Sequence, residues 1–154
     1  MPAIAVESLD ALKELAGREF GVTDWVVVTQ ERINQFADAT GDHQWIHIDR
    51  ERAQRESPYE NTIAHGFLTV ALISGLAREA VELTGDFKLR INYGFNRLRF
   101  PSAVPAGSRI RGRFTLNSIK DFDGGVEIAW GVTVDVERRE KPALVAEWLV
   151  RTYY

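Results

Sequence analysis

The run Gly41-Asp42-His43-Gln44-Trp45-Ile46-His47 places a carboxylate and an imidazole five positions apart, between two segments of helical spacing. On a regular strand, residues i and i+5 face opposite sides, so these two side chains converge only in an irregular connection. An imidazole titrates near neutrality and suits proton transfer. A carboxylate beside it can orient the same water or take the complementary proton. Both residues also have plainer uses, Asp42 as a cap within the loop and His47 as a packed or surface side chain. Spacing alone leaves both readings open.

A second segment, Thr62-Ile63-Ala64-His65-Gly66-Phe67, opens a long apolar run. Backbone N–H groups in a helix's first turn lack internal partners and carry partial positive charge. A glycine at that point lets a carbonyl oxygen approach the N–H closely, as an oxyanion hole requires. Gly66 can equally serve tight packing or turn geometry. Its neighbours Ile63 and His65 are candidate substrate contacts, and His65 is alternatively a helix-start polar residue or packing. Ser74, eight residues after Gly66, either bonds a carbonyl one turn back or steadies a site residue such as Asp42. A metal site built from His43, His47 and Asp49 would need His43 and His47 on one helix. A loop after Gly41 argues against that, so no metal is expected.

The elements that must hold these residues follow from periodicity. Leu9, Leu12, Leu15 and Ala16 fall at helical intervals, with Gly17 as the stop. Trp25 to Val28 reads as a strand. Thr29 caps a second helix that buries Ile33, Phe36 and Ala37 and ends at Gly41. Residues 41 to 64 are rich in breakers, with a short helix over Arg50 to Glu56 behind the cap Asp49. Gly66 to Leu83 reads as a long helix, apolar on nearly every face in its first three turns and therefore surrounded. After Gly85 the period changes. Lys88 to Phe100, Ser108 to Ile119, Val126 to Glu137 and Ala143 to Tyr153 alternate polar and apolar residues, and Asp123-Gly124-Gly125 makes a hairpin turn. The result is an α+β fold with roughly five mostly antiparallel strands, the sheet wrapped round the buried helix as in a hot-dog fold.

The chain has 154 residues, 45% hydrophobic and 27% charged, which matches one globular domain over 1–154. Net charge is −3 with the basic residues dispersed, so no nucleic-acid-binding face is expected. No stretch approaches the ~20 apolar residues of a membrane helix. Met1 to Val6 has no basic start and runs into acidic residues, unlike a signal peptide; a cytoplasmic location is expected. With no cysteine, a thiol nucleophile and thiolate metal ligands are excluded.

Gly41-Asp42-x-x-x-Ile46-His47 followed by Ala64-His65-Gly66-Phe67-Leu68 resembles the MaoC-like dehydratases, which include the (R)-specific enoyl-CoA hydratases. The resemblance continues through Tyr93-Gly94-x-Asn96-Arg97-x-Arg99-Phe100-Pro101-x-x-Val104-Pro105-x-Gly107-Ser108 and so spans Phe36 to Ser108. It implies a hot-dog homodimer that reversibly hydrates trans-2-enoyl thioesters to (R)-3-hydroxyacyl thioesters. Asp42 and His47 would be the acid/base pair on one water, Gly66 N–H the oxyanion donor, and Ser74 the family's helix serine. No cofactor is implied, because the thioester itself acidifies its α-carbon. Gln44-Trp45 stands where the common pattern has Asn-Pro, as in a NodN-like branch. That departure touches acyl-chain preference and the choice between CoA and an acyl carrier protein. Lys88, Arg90, Arg97 and Arg99 are candidate phosphate contacts. The dimer join is expected along Tyr93 to Phe100, an edge that pairing would protect; Asn96 and Arg99 would then line the partner's substrate tunnel. A hot-dog thioesterase and a non-catalytic acyl-thioester binder are the alternatives. The absence of a carboxylate on the long helix before Glu79 counts against the first, and Asp42, His47 and Gly66 together count against the second.

Overall fold

Helical spacing dominates the first half of the chain and alternation the second, and the structure keeps that division. It is a computed structural model that describes residues 2–85 and 87–154; Met1, which opens the N-terminal stretch discussed above, lies outside the described residues. The chain runs β1 (Ile4–Val6), α1 (Leu9–Glu14), β2 (Glu19–Val22), β3 (Val26–Val27), α2 (Gln30–Thr40), α3 (Trp45–Ile48), α4 (Arg50–Glu56), α5 (Gly66–Ala80), β4 (Val81–Leu83), β5 (Leu89–Arg99), β6 (Arg109–Phe122), β7 (Gly125–Val136) and β8 (Leu144–Tyr153).

Local chemistry sets the helix starts. Ser8 accepts from the Ala11 N–H, Thr29 from Arg32 and Asp49 from Arg52, each satisfying a donor that the helix cannot. Gly41 closes α2 in the left-handed region at φ 78°, where a side chain would be strained, and its N–H returns to Ala37 O.

The main sheet is antiparallel with the order β2-β6-β7-β8-β5, and β3 pairs with β6 beside β2. The strands are those expected from alternation, with β2 added. Along β8, Leu144, Ala146, Trp148, Val150 and Thr152 turn inward while the intervening residues stay partly exposed. Against this face lies α5, which buries Leu68, Thr69, Ile73, Leu76 and Ala80. Helix and sheet approach closely at Gly21 of β2, where a Cβ would sit 2.6 Å from Ala80 Cβ.

Three expectations need correction. The helix ends at Ala80 rather than Leu83, because Val81–Leu83 leaves it to pair in parallel with β1. Where a loop was expected, residues 45–48 form the single turn α3. Finally, α5 is not fully surrounded. Phe67 is 72% exposed, and Ala71 and Gly75, four and eight residues on, continue a bare stripe. Edge strand β5 is similarly bare at Leu89, Ile91 and Tyr93. No helix among the described residues is long and apolar enough to cross a membrane.

Candidate active site

The turn from α2 into α3 and the strap that leads into α5 lie side by side. Ile63 N–H donates to Ile46 O at 3.0 Å. Gln30 of α2 reaches across to donate to His47 O at 2.7 Å, and Thr62 Oγ1 bonds Gln30 Oε1 in turn. Three elements thus fix the backbone around one imidazole.

That imidazole is His47, 6% exposed on α3. Its Nδ1 lies 2.7 Å from Ile63 O. A carbonyl oxygen only accepts, so Nδ1 carries the hydrogen and the neutral ring leaves Nε2 with its lone pair. Burial pushes the His47 pKa below the usual imidazole value; the Ile63 hydrogen bond opposes this, neighbouring His65 adds to it, and Asp42 opposes it. The surroundings therefore favour the neutral ring, with Nε2 unprotonated.

Asp42 is exposed, and one carboxylate oxygen accepts from Gln44 N–H at 3.3 Å. The capping use considered for this residue is therefore real but engages one oxygen only. His65, 3% exposed, lies against His47 with ring centroids 3.8 Å apart and planes 24° off parallel. Its Nε2 donates to Asp42 O at 2.9 Å, and its Nδ1 is buried without a partner among the described residues. Asp42, His47 and His65 each bring a side-chain donor atom within 4.8 Å of the others. That set has ligand types a metal ion accepts. The two rings are stacked, however, so their in-plane lone pairs run alongside each other rather than toward one point. The trio of His43, His47 and Asp49 does not assemble. His43 pairs with Asp38 at 2.9 Å, a hydrogen bond that raises its pKa, and Asp49 is occupied as the α4 cap.

Gly66 follows His65 directly as the first residue of α5, and its N–H has no acceptor among the described residues. A Cβ at Gly66 would lie 3.2 Å from the Phe100 ring. Ile63, Gly66, Thr69, Phe100, Ser102 and Val104 line an open cleft of about 650 Å³ beside it. Phe100 was read only as part of the resemblance and of the expected join, not as a site residue, and the Gln30–Thr62 brace was not singled out from the sequence.

Other candidates sit elsewhere. Ser74 lines a more enclosed cavity of about 670 Å³ further along α5, with Ala77, Trp148 and Thr152. Its hydroxyl bonds neither Asp42 nor a carbonyl one turn back. Asn96 donates to Glu147 Oε1 at 2.6 Å, and Arg99 Nη1 bonds Leu98 O at 2.8 Å. Pairing opposite Val145 and Glu147 puts Arg99 and Arg97 on the outer sheet face. Neither Asn96 nor Arg99, then, joins the pair.

Comparison with known proteins identifies the family. Residues 12–138 match the family model described as MaoC like domain. The chain is 50% identical over 146 residues to 3-hydroxyacyl-thioester dehydratase Z of Mycobacterium tuberculosis, covering 94% of this chain and 95% of that one. It is 45% identical over 143 residues to Nodulation protein N of Rhizobium meliloti, covering 92% and 89%. The fold matches the (R)-hydratase from A. caviae involved in PHA biosynthesis with a TM-score of 0.69 at 20% identity, covering 87% of this chain and 96% of that one. A chain whose matched region runs from α1 through β7 and encloses the whole Asp42–Gly66 site is a member of the MaoC-like dehydratase family.

Proposed function

We propose that this protein is a cytoplasmic hydro-lyase that adds water reversibly to trans-2-enoyl thioesters, giving (R)-3-hydroxyacyl thioesters, with coenzyme A as the thiol carrier. The observation that carries the reading is the tautomer of His47: Nδ1–H is tied to Ile63 O, so a buried neutral ring keeps Nε2 as a base. Asp42 stands within 4.8 Å, and the unpaired Gly66 N–H begins the adjacent helix. The 50% identical relative is named as a 3-hydroxyacyl-thioester dehydratase, which is the reverse direction of the same reaction.

In hydration, His47 Nε2 takes a proton from water as the water oxygen bonds to C3 of the enoyl thioester. The C2–C3 π electrons move toward the thioester carbonyl, and the resulting enolate oxygen is held by the Gly66 N–H. Asp42 accepts a hydrogen bond from the water's other O–H and offsets the imidazolium charge. The imidazolium then returns its proton to C2, which restores the carbonyl and the neutral ring. Every proton is accounted for without a cofactor.

The bare stripe of α5 and the bare edge of β5 are placed for a second copy, which would extend the sheet across a two-fold axis. The enclosed cavity beside Ser74 is the apolar space for the acyl chain, with Trp148, Val150 and Ile128 among its walls. The deciding experiment incubates the purified chain with crotonyl-CoA, with and without a chelator, and follows loss of the enoyl absorbance and formation of (R)-3-hydroxybutyryl-CoA. Chelator-insensitive hydration with R product is expected. Release of free CoA without hydration would identify a thioesterase instead and end the proposal.

A further inference from the structure

His65 has left the usual use of its position. It occupies the N-cap of α5, yet its side chain makes no capping hydrogen bond, where Ser, Thr, Asp or Asn would satisfy a helix donor. It is also buried with one ring nitrogen unpartnered among the described residues, a cost that an apolar side chain of similar size would avoid. What the ring does instead is touch both halves of the site. Its Nε2–H holds the backbone oxygen of Asp42 at 2.9 Å, and its face lies 3.8 Å from the His47 ring. Phe36 of α2 backs it at 5.0 Å, tilted by 60°.

Resting on the hydratase reading above, we infer that His65 is a positioning residue that holds the Asp42 loop and the His47 ring in one fixed relation next to the Gly66 N–H. Two restraints define an imidazole's orientation. The Nδ1–H bond to Ile63 O sets the rotation of the His47 ring in its own plane, and the stacked His65 face sets the tilt of that plane. The Nε2–H bond to Asp42 O fixes where the carboxylate begins. Because His65 and Gly66 are consecutive, the base, the water-orienting carboxylate and the oxyanion donor are all referenced to one residue. His65 also bears on titration. The ionisable groups that face His47 are Asp42 from the loop and His65 from α5; Gln30, which reaches over from α2, does not titrate. Of the two, His65 is the one that lowers the His47 pKa.

Two substitutions separate these contributions. His65→Phe keeps a flat ring against His47 but cannot donate to Asp42 O. His65→Gln keeps an N–H donor near the Nε2 position but cannot stack as a ring. Displacing a catalytic group by an ångström costs on the order of 10²-fold. His65→Phe is therefore expected to lower kcat on crotonyl-CoA by ~10- to 100-fold with KM changed by less than about 3-fold, and His65→Gln to recover at least about 5-fold of that loss. In both variants the acid limb of the kcat profile should move to higher pH, since the neighbour that lowered the His47 pKa is gone. Long-range 1H–15N spectra of the His47 ring give a second readout that needs no turnover: wild type should show the Nδ1–H tautomer, with its titration midpoint raised in both variants. Folded His65→Phe with wild-type kcat and an unmoved acid limb would overturn the inference. So would His65→Gln as impaired as His65→Phe, or an Nε2–H tautomer of His47 in wild type. If His65→Phe does not fold, His65→Gln with an unshifted His47 midpoint overturns it alone. If the wild-type chain hydrates no enoyl thioester, the functional reading fails, and the spectra still decide whether His65 positions His47.

Discussion

Replacing Gly66 by proline removes one N–H group and very little else, which makes it the sharpest probe of the oxyanion assignment. Proline is favoured at the first helical position, where its missing N–H has no intrahelical acceptor. Gly66 is that position, and its N–H is unpaired among the described residues. The residue before a proline must be extended, near ψ +120 to +160°; His65 already has φ −58° and ψ 138°. The added Cβ would meet the Phe100 ring at 3.2 Å, but Phe100 is 43% exposed and can yield by a few tenths of an ångström. The same Cβ is present in Gly66→Ala, which therefore serves as the steric control. Ala also limits the unfolded chain, a gain of up to ~1 kcal/mol that offsets the tight contact. Both variants should thus fold with stability within about 1 kcal/mol of wild type. Loss of one oxyanion donor costs about 3 kcal/mol at the transition state, so Gly66→Pro should turn over ~10²-fold more slowly than Gly66→Ala. The measurements are kcat on crotonyl-CoA and urea midpoints for all three proteins. A folded Gly66→Pro within about 3-fold of Gly66→Ala would show that this N–H does not hold the enolate.

Three further outcomes are expected. Asp42→Asn and His47→Gln should each lower kcat by ~10²-fold or more, and the double variant by far less than the product of the two, because both act on one water; near-wild-type turnover by folded Asp42→Asn would exclude its role. The lowered pKa of buried His47 ties stability to pH: above the usual imidazole range both states are neutral there, and as pH falls through it the unfolded chain binds a proton that the folded ring resists. Urea midpoints should therefore drop as pH falls below about 6.5, and less steeply in His47→Gln; identical slopes in the two proteins would contradict the burial argument. Light scattering should report a particle of twice 17.4 kDa, which Ile91→Asp, placed on the bare β5 edge, should dissociate with loss of activity; a fully active wild-type monomer would remove the second copy from the mechanism.

How far the sequence could be read depends on whether the deciding contact is local. The caps Thr29 and Asp49, the stop at Gly41 and the four long strands rest on chemistry within a few residues, and all stand as expected. The end of α5 does not. Val81 to Leu83 continues an apolar run that helical and extended backbones accommodate equally, and what settles it is pairing with Ile4–Val6 far earlier in the chain. The short strand β2, which was not read from the sequence, leans on β6 in the same way. At the site, the residue types at Asp42, His47, His65 and Gly66 were legible. The tautomer of His47 was not, since it depends on a carbonyl 16 residues away. Nor was the separation of Ser74, Asn96 and Arg99 from the pair, because it is set by where α5 and β5 lie in the fold rather than by the local pattern.

The site's placement on an irregular connection raises a physical question, because groups that act together need positions held to within about half an ångström, and loops hold positions poorly. The structure answers it with a reciprocal tie. The turn α3 sends the His47 side chain to a backbone oxygen of the strap, Ile63 O, at 2.7 Å, and the strap sends the His65 side chain to a backbone oxygen of the loop before α3, Asp42 O, at 2.9 Å. The two donors are stacked on each other, so sliding either segment strains both bonds and the ring contact together. The Ile63 N–H bond to Ile46 O adds a third link between the same segments. None of these links runs through the long strands. The sheet holds α5, α5 begins with Gly66, and the loop is referenced to that beginning through His65. An exposed carboxylate and a buried imidazole can then keep one geometry although only one of them lies within the packed interior.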